Sequence, residues 1–265
     1  LTSTTVEMRP WGMDVDAYLA RIGAAKPVAP TAAALAELHE RHVMTVPFEN
    51  LSVQLREPIV LDEEALFDKI VLRRRGGFCY ELNGAFAGLL RALGFRVSLL
   101  SARVFGGGRY GAPFDHLALR VELDEPWLAD VGFGRFARRP LRLTACEVQA
   151  DAEGEFLLLD APHGDIEVRH NGEPAYKVEE RPRDLADFVP TCWWQATSPD
   201  SHFTKNLVCT LPTPTGRVTL AGDQLIETTE GKRSERPLSA DELVETYRSL
   251  FGIELAEAPS TFART

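Results

Sequence analysis

Residues 75–83 read Arg-Gly-Gly-Phe-Cys-Tyr-Glu-Leu-Asn, and Cys79 within them is a candidate nucleophile. Leu82, Phe86, Leu89, Leu90 and Leu93 recur at helical spacing directly after it, and Gly94 stands where a helix C-cap glycine belongs. The pattern predicts Cys79 at or near a helix N-terminus, where free N–H groups and the positive end of the macrodipole favour a thiolate. Two glycines permit a tight turn just before it, and Arg73, Arg74 and Arg75 add positive charge upstream. A small buried apolar residue is equally compatible with this local context. The choice between nucleophile and core residue therefore rests on partners.

A cysteine nucleophile needs a base, and the base needs an orienting acceptor. His116 is the best placed of the six histidines. Leu117, Leu119, Val121 and Leu123 alternate with His116, Ala118, Arg120 and Glu122, so a strand with its leucines in the core turns His116 to the opposite face, toward a cleft. Asp130, in Trp127-Leu-Ala-Asp-Val-Gly-Phe-Gly134, is the acceptor candidate, because an aspartate in an apolar strand is costly unless paired. Register decides whether the two meet. A two-residue loop at Asp124-Glu125 would pair 119 with 130 and leave His116 on the wrong side. A pivot on Asp124 pairs 118 with 130 and 116 with 132, making His116 and Asp130 diagonal neighbours about 7–8 Å apart. The spacing therefore predicts an odd-membered or bulged loop.

The other histidines have weaker claims. His39 and His42 share a helical stretch with Glu40 and Arg41 and read as surface or satisfied interhelix residues; their spacing suits a metal, but no third ligand stands out. His163 and His170 fall at turns, and His202 lies in the segment Ser198-Pro-Asp-Ser-His-Phe-Thr204.

The elements that must position these residues change character at Gly94. Before it, Asp14 to Arg21 forms a short amphipathic segment, Thr31 caps an Ala/Leu-rich run ending near Val43, and Asp62 caps a helix with Leu66, Phe67, Ile70 and Val71 on one face. Val46-Pro-Phe-Glu-Asn-Leu51 interrupts them. After Gly94, residues 95–105, 116–123, 127–133, 156–159 and 166–170 alternate like strands of a small antiparallel sheet or barrel. Arg181-Pro-Arg-Asp reads as a linker. The remainder mixes strands (207–210, 216–220, 224–228) with a helix from Ser239 to Leu250, opened by a capping box of Ser239 and Glu242. The expected division is 1–94, 95–183 and 184–265.

At 265 residues the chain can bury more than one core. Its net charge of −10 argues against a nucleic-acid partner, so an anionic ligand must be met by a local positive patch or by backbone N–H groups. Cys79, Cys146, Cys192 and Cys209 form no CxxC pair, which suits a reducing compartment and gives no zinc signature. The stretch Leu1-Thr-Ser-Thr-Thr-Val-Glu has neither a basic n-region nor an apolar h-region, and no window approaches the roughly 18 apolar residues that span a bilayer. The expectation is a cytoplasmic protein without a membrane or metal partner; its oligomeric state is not readable.

Arg-Gly-Gly-Phe-Cys-Tyr-Glu-Leu-Asn, then a strand histidine, then Asp-Val-Gly-Phe-Gly resembles the arylamine N-acetyltransferases of prokaryotic type. Val-Pro-Phe-Glu-Asn-Leu and the Ser198–Thr204 segment match as well, and so do the separations, 116 − 79 = 37 and 130 − 116 = 14. The likeness runs from about Asp14 to about Leu255. It implies an α+β fold with an N-terminal helical bundle, a central antiparallel β-barrel and a C-terminal α/β lid, around a Cys-His-Asp core like that of papain-like enzymes and transglutaminases. It further implies Cys79 as nucleophile, His116 as base and Asp130 as orienting carboxylate. Phe48, Phe133 and Phe203 match aromatics lining the acceptor pocket, joined by Tyr80, and Arg21 and Glu49 match a structural ion pair. The implied reaction is ping-pong transfer of acetyl from acetyl-CoA, through acetyl-Cys79, to an arylamine or arylhydrazine.

Three features depart from the family pattern. Asp115 precedes the histidine where a small hydroxyl residue is frequent, the loop Gly106–Pro113 is unusually glycine-rich, and Gly134 is followed by Arg-Phe-Ala-Arg-Arg139. Asp115, Gly134 and Arg135 are the candidates to contact the CoA donor. Basic residues there suit a CoA phosphate; they equally suit a narrowed acceptor site, or a solvated loop that does neither. The altered loops keep a second reading open, an amide synthase of the same family taking its acyl group from a carrier-protein thioester. A cysteine hydrolase is the third.

Overall fold

The computed structural model describes residues 13–259. The outermost parts of the first and third expected segments (1–12 and 260–265), and with them the Leu1–Glu7 stretch read for a leader, lie outside the described residues.

Short polar residues start the helices where the sequence places them. Asp14 caps α1 (Val15–Ile22), Thr31 caps α2 (Ala32–Thr45), and each side chain accepts a first-turn backbone N–H. Pro47 ends α2, and the chain extends through β1 (Phe48–Glu49) into the single turn α3 (Leu51–Gln54). Asp62 caps α4 (Glu63–Phe67), which widens into a π-helical turn over Asp68–Leu72. The central helix α5 (Cys79–Ala92) then begins at the cysteine and closes at Gly94, whose φ of +88° suits a residue without a side chain.

From Gly94 onward the chain is mostly antiparallel sheet. Strands β2 (Arg96–Gly106), β3 (Arg109–Tyr110), β4 (His116–Glu122), β5 (Pro126–Ala129), β6 (Leu141–Arg142), β7 (Gln149–Asp151), β8 (Gly154–Ala161), β9 (Asp165–His170) and β10 (Glu173–Arg183) form one sheet. Its path is β6-β5-β4-β2-β10-β9-β8-β7, with β3 paired to β2. The two edges meet through one side chain: Gln149 of β7 accepts from the Arg142 N–H of β6 and donates to the Arg142 carbonyl. That contact nearly closes a barrel. The glycine-rich loop is largely a hairpin device, since Phe105 pairs with Tyr110 around Gly107 and Gly108, both at positive φ.

After the barrel come α6 (Val189–Thr197), the short α7 (His202–Lys205), strands β11 (Val208–Thr213), β12 (Gly216–Ala221), β13 (Gln224–Thr229) and β14 (Lys232–Pro237), and α8 (Ala240–Phe251), opened by the Ser239–Glu242 capping box. β1 from the helical segment pairs with β11 and so completes a five-stranded sheet, β1-β11-β12-β13-β14.

Three apolar cores result. α1, α2, α4 and α5 pack with Leu117, Leu119 and Val121 of β4. Leu100, Ala118, Phe136, Phe156 and Tyr176 fill the barrel. Leu220, Leu225, Tyr247 and Phe251 join the C-terminal sheet to α8.

The sequence expectations need four corrections here. Arg181-Pro-Arg-Asp is no linker: Pro182 and Arg183 pair with Leu100 and Leu99 at the end of β10, beyond a bulge and past its pairing with β9, where a proline without N–H is tolerated. The strand expected over 127–133 stops at Ala129. β14 has no apolar alternation to reveal it, because all six of its residues are exposed. The face of β4 that carries His116 is open only at its end: Ala118 on the same face packs into the barrel core, while His116 itself lines a cavity.

Candidate active site

The segment leading to Cys79 is shaped by close approach. A Cβ on Gly76 would stand 2.0 Å from the Pro47 carbonyl oxygen, and one on Gly77 would stand 2.7 Å from Glu81 Oε2. Glu81 turns back to accept the Phe78 N–H at 3.2 Å and pairs with buried Lys69 at 2.6 Å, tying the helix start to the π-turn. Arg75 Nε donates to the fully buried Glu49 at 3.1 Å. Arg21 is not Glu49's partner, contrary to expectation: it donates instead to the Ile70, Thr45 and Arg74 carbonyls. Nor are Arg73 and Arg75 spent on the thiol, since Arg75 is engaged by Glu49 and Glu57, and Arg73 by Asp68.

Cys79 is the first residue of α5 and is buried, in hydrogen-bond contact with His116. His116 Nε2 lies 2.7 Å from Asp130 Oδ2, leaving Nδ1 for the cysteine. The β4–β5 register runs Leu119–Ala129, Arg120–Leu128, Val121–Trp127 and Glu122–Pro126, so the loop is the three residues Leu123–Glu125 with Asp124 as pivot. The odd-membered loop is present. Asp130 itself sits one residue past the end of β5, held by side chains rather than by ladder bonds. Its Oδ1 accepts from Asn83 Nδ2 at 2.8 Å and from the Gly132 N–H at 3.0 Å. Asn83 also donates to the Leu117 carbonyl at 2.6 Å and accepts the Val131 N–H at 2.9 Å, so one helix residue ties both strands to α5.

Electrostatics follow from burial and from this pairing. Burial works against the imidazolium, but the charge and hydrogen bond of Asp130, with Cys79 adding, lift His116 to about 10. Burial likewise opposes the Asp130 carboxylate, and the charge and hydrogen bond of His116, with Asn83 and Gly132, hold it below its ordinary value. Burial pushes the Cys79 thiol up, opposed by the hydrogen bond and charge of His116. The helix N-terminus alone therefore does not make this a low-pKa thiol; His116 is the group that draws it toward ionisation.

Cys79 and His116 open onto a cavity of about 420 Å³ walled by Phe48, Phe133, Phe203, Gln195, His202 and Thr210. The candidate donor contacts Asp115, Gly134 and Arg135 line it too. Tyr80 does not line it: its ring is fully buried against Phe78 and Phe188, and its hydroxyl donates to the Phe114 and Asp115 carbonyls. Asp115 accepts from Gln195 at 2.7 Å, and burial raises its pKa against the pull of His116. Of the basic run after Gly134, Arg138 is buried on Glu153 and Arg139 pairs with Glu40, whereas Arg135 is 71% exposed at the cavity mouth. Arg217 of β12 reaches across to the Gly134 carbonyl at 2.8 Å. A larger cavity of about 850 Å³ lies beyond α6, between residues 56–61 and Trp193, and neither Cys79 nor His116 lines it.

Asn83 and His39 are the residues that sequence reasoning passed over. Asn83 stood in the cysteine motif without a role. His39 and His42 are both buried: His42 Nε2 meets the Tyr18 hydroxyl at 3.0 Å, and His39 bonds to the Arg138 carbonyl and the Asp130 N–H. No group of three or more potential metal-ligating side chains occurs among the described residues, and no helix there is long and apolar enough to cross a membrane.

A family model described as N-acetyltransferase matches residues 31–260. An arylamine N-acetyltransferase of Escherichia coli (strain K12) is 35% identical, the match covering 92% of this chain and 90% of the relative. One from Mycolicibacterium smegmatis is 36% identical, covering 92% and 94%. Among solved structures, the Salmonella typhimurium enzyme superposes with a TM-score of 0.84 at 33% identity, covering 90% of each chain. The Mycobacterium marinum enzyme in complex with CoA gives 0.83 at 32% identity, covering 91% of this chain and 93% of that one.

Proposed function

The chain belongs to the arylamine N-acetyltransferase family, and from that premise we propose that Cys79, His116 and Asp130 carry its reaction. The protein is an acyltransferase that moves acetyl from acetyl-CoA to an arylamine. The observation that carries the residue assignment is a cysteine at the start of a buried helix, in contact with a histidine 2.7 Å from a buried carboxylate, the cysteine and histidine lining one aromatic-walled cavity.

In the first half-reaction the Cys79 sulfur attacks the thioester carbonyl carbon while its proton resides on His116 Nδ1. The tetrahedral intermediate collapses, the CoA sulfur leaves, and His116 returns the proton to it. In the second, the amine nitrogen attacks acetyl-Cys79, His116 takes the amine proton, and Cys79 leaves as the thiolate. Asp130 keeps Nε2 protonated and so turns Nδ1 toward the sulfur in both halves. The backbone N–H groups at the start of α5, beside the Cys79 sulfur, are the donors nearest in sequence for the developing oxyanion. Phe48, Phe133 and Phe203 offer apolar faces to an aryl ring and keep water from the acetyl-enzyme.

Arg135 is the group we assign to an anionic part of the donor, a CoA phosphate. It shares Glu153 with Arg138 and Arg217, so three guanidinium groups face one carboxylate, and of the three only Arg135 lines the Cys79 cavity. Asp115, itself an anion, suits an N–H of a substrate rather than a phosphate, and Gly134 admits close approach.

Incubation with acetyl-CoA, followed by intact-mass and peptide analysis, should show one acetyl group on Cys79. An arylamine should discharge it, and Cys79→Ala should show neither the adduct nor CoA release. An adduct that water discharges as fast as the amine would support the hydrolase, and no adduct with acetyl-CoA would remove this reading.

A further inference from the structure

We propose that His39 is a positioning residue that clips together the two ends of the 130–138 segment and thereby sets both the triad acid and one wall of the substrate cavity. This rests on the assignment of Asp130 as the acid of the triad. The imidazole spans two backbone groups eight residues apart. Its Nε2 accepts the Asp130 N–H at 3.0 Å, and its Nδ1 lies 2.8 Å from the Arg138 carbonyl oxygen. An N–H pointing at Nε2 requires that nitrogen to be bare, and a carbonyl facing Nδ1 requires the proton there. Only the neutral Nδ1–H tautomer satisfies both.

The segment needs such a clip. It leaves β5 at Ala129 and pairs with no strand until β6 begins at Leu141, yet it carries Asp130, Gly132, Phe133, Gly134 and Arg135. Inside it, Asp130 and Val131 are tied to Asn83 of α5, and Gly134 to Arg217 of β12. His39 alone among the described residues hydrogen-bonds to both Asp130 and Arg138. Its ring also meets the edge of Phe86 at 6.0 Å, and Phe86 belongs to the helix that begins with Cys79. The clip therefore references the acid's segment to the nucleophile's helix through a third element, α2. Burial keeps the ring neutral, consistent with the tautomer that geometry demands.

Two variants and one measurement on the native enzyme test this. His39→Leu keeps the volume against Phe86 and removes both bonds; His39→Gln offers a planar amide that accepts at one end and donates at the other. Single-turnover acetylation per molecule of folded enzyme should fall at least about tenfold in His39→Leu, the scale set by losing the bond to Asp130 alone, and His39→Gln should recover most of it. The pH profile of Cys79 alkylation by iodoacetamide should shift in His39→Leu and return in His39→Gln, a signature that loss of stability alone does not produce. Nitrogen NMR of the unmodified protein should show His39 as the neutral Nδ1–H tautomer at neutral pH, a test that stands if His39→Leu does not fold. The proposal is overturned by an unchanged rate and profile in His39→Leu, by rate loss in both variants with an unshifted profile, or by a charged or Nε2–H ring at neutral pH. Alkylation needs no acetyl-CoA, so a chain that alkylates as expected but forms no acetyl adduct would refute the acetyltransfer assignment and leave the clip standing.

Discussion

Replacing Asp130 by asparagine removes one charge and keeps the side chain's shape, which isolates what the carboxylate does for His116. In the native site Asp130, aided by Cys79, lifts the imidazolium from 6.5 to about 10 against the effect of burial. At about 1.4 kcal/mol per tenfold, that rise corresponds to about 5 kcal/mol in favour of the charged ring. An asparagine can still accept from Asn83 and Gly132 through Oδ1, which leaves its amide N–H₂ where Oδ2 met His116 Nε2 at 2.7 Å. Nε2 must then accept, so the ring becomes neutral with its proton on Nδ1, facing the sulfur it should relieve of a proton. With burial no longer opposed, His116 should titrate at or below 6.5, and at pH 7.5 about a tenth or less of it would be charged. Acetylation of Cys79 should fall by about 10³–10⁴-fold, the scale of a triad histidine held in the wrong tautomer. Single-turnover mass spectrometry reads the rate, and imidazole NMR reads the titration.

Stability gives an independent check with a definite sign. Asp130 has a lowered pKa when folded, so its contribution is present above 3.8 and is lost as pH falls through the folded value. His116 has a raised one, so its contribution is complete below 6.5 and is lost as pH rises through about 10. The difference in unfolding free energy between wild type and Asp130→Asn should therefore be widest between about pH 4 and 6.5 and narrow toward pH 10. A variant whose His116 still titrates near 10, or that acetylates within about tenfold of wild type, would refute this account of the site.

Two further substitutions probe the scaffold. Arg75→Met should destabilise the fold by about 3–5 kcal/mol in urea titration, because it strands the fully buried Glu49 without its guanidinium partner; adding Glu49→Gln should recover part of that loss. Gly132→Ala should abolish acetylation, since its Cβ would stand 2.8 Å from both Cys79 Cα and Asn83 Nδ2, and the backbone of a packed helix cannot yield; an adduct formed at the wild-type rate would contradict the close approach.

Much of the scaffold was legible because it depends on local rules. Asp14, Thr31, Asp62 and Ser239 cap helices where short polar side chains precede apolar periodicity, and Cys79 opens α5 because helical spacing begins at it. Even the β4–β5 register followed from the single requirement that His116 and Asp130 share a face. Residues 173–183 and 232–237 were illegible for opposite reasons. In the first a proline suggested a break that strand-end geometry absorbs, and in the second an exposed strand has no buried face to impose alternation. Tyr80 and Arg21 were misplaced because adjacency to a motif does not say which way a side chain points.

Cys79, His116 and Asp130 stood out as candidates from the sequence alone, because residue type, periodicity, spacing and the motifs they share with a family are written along the chain. Which groups hold them was decided only by the tertiary structure. Asn83 tying Asp130 to α5, His39 reaching across from 91 residues earlier, Arg217 arriving from the last sheet, and Arg75 rather than Arg21 answering Glu49 are all long-range contacts. Burial, which raises the Cys79 thiol and is overcome by mutual pairing at His116 and Asp130, is likewise a property of the packed molecule. A charge or hydrogen bond acts through space, and the sequence records only distance along the chain.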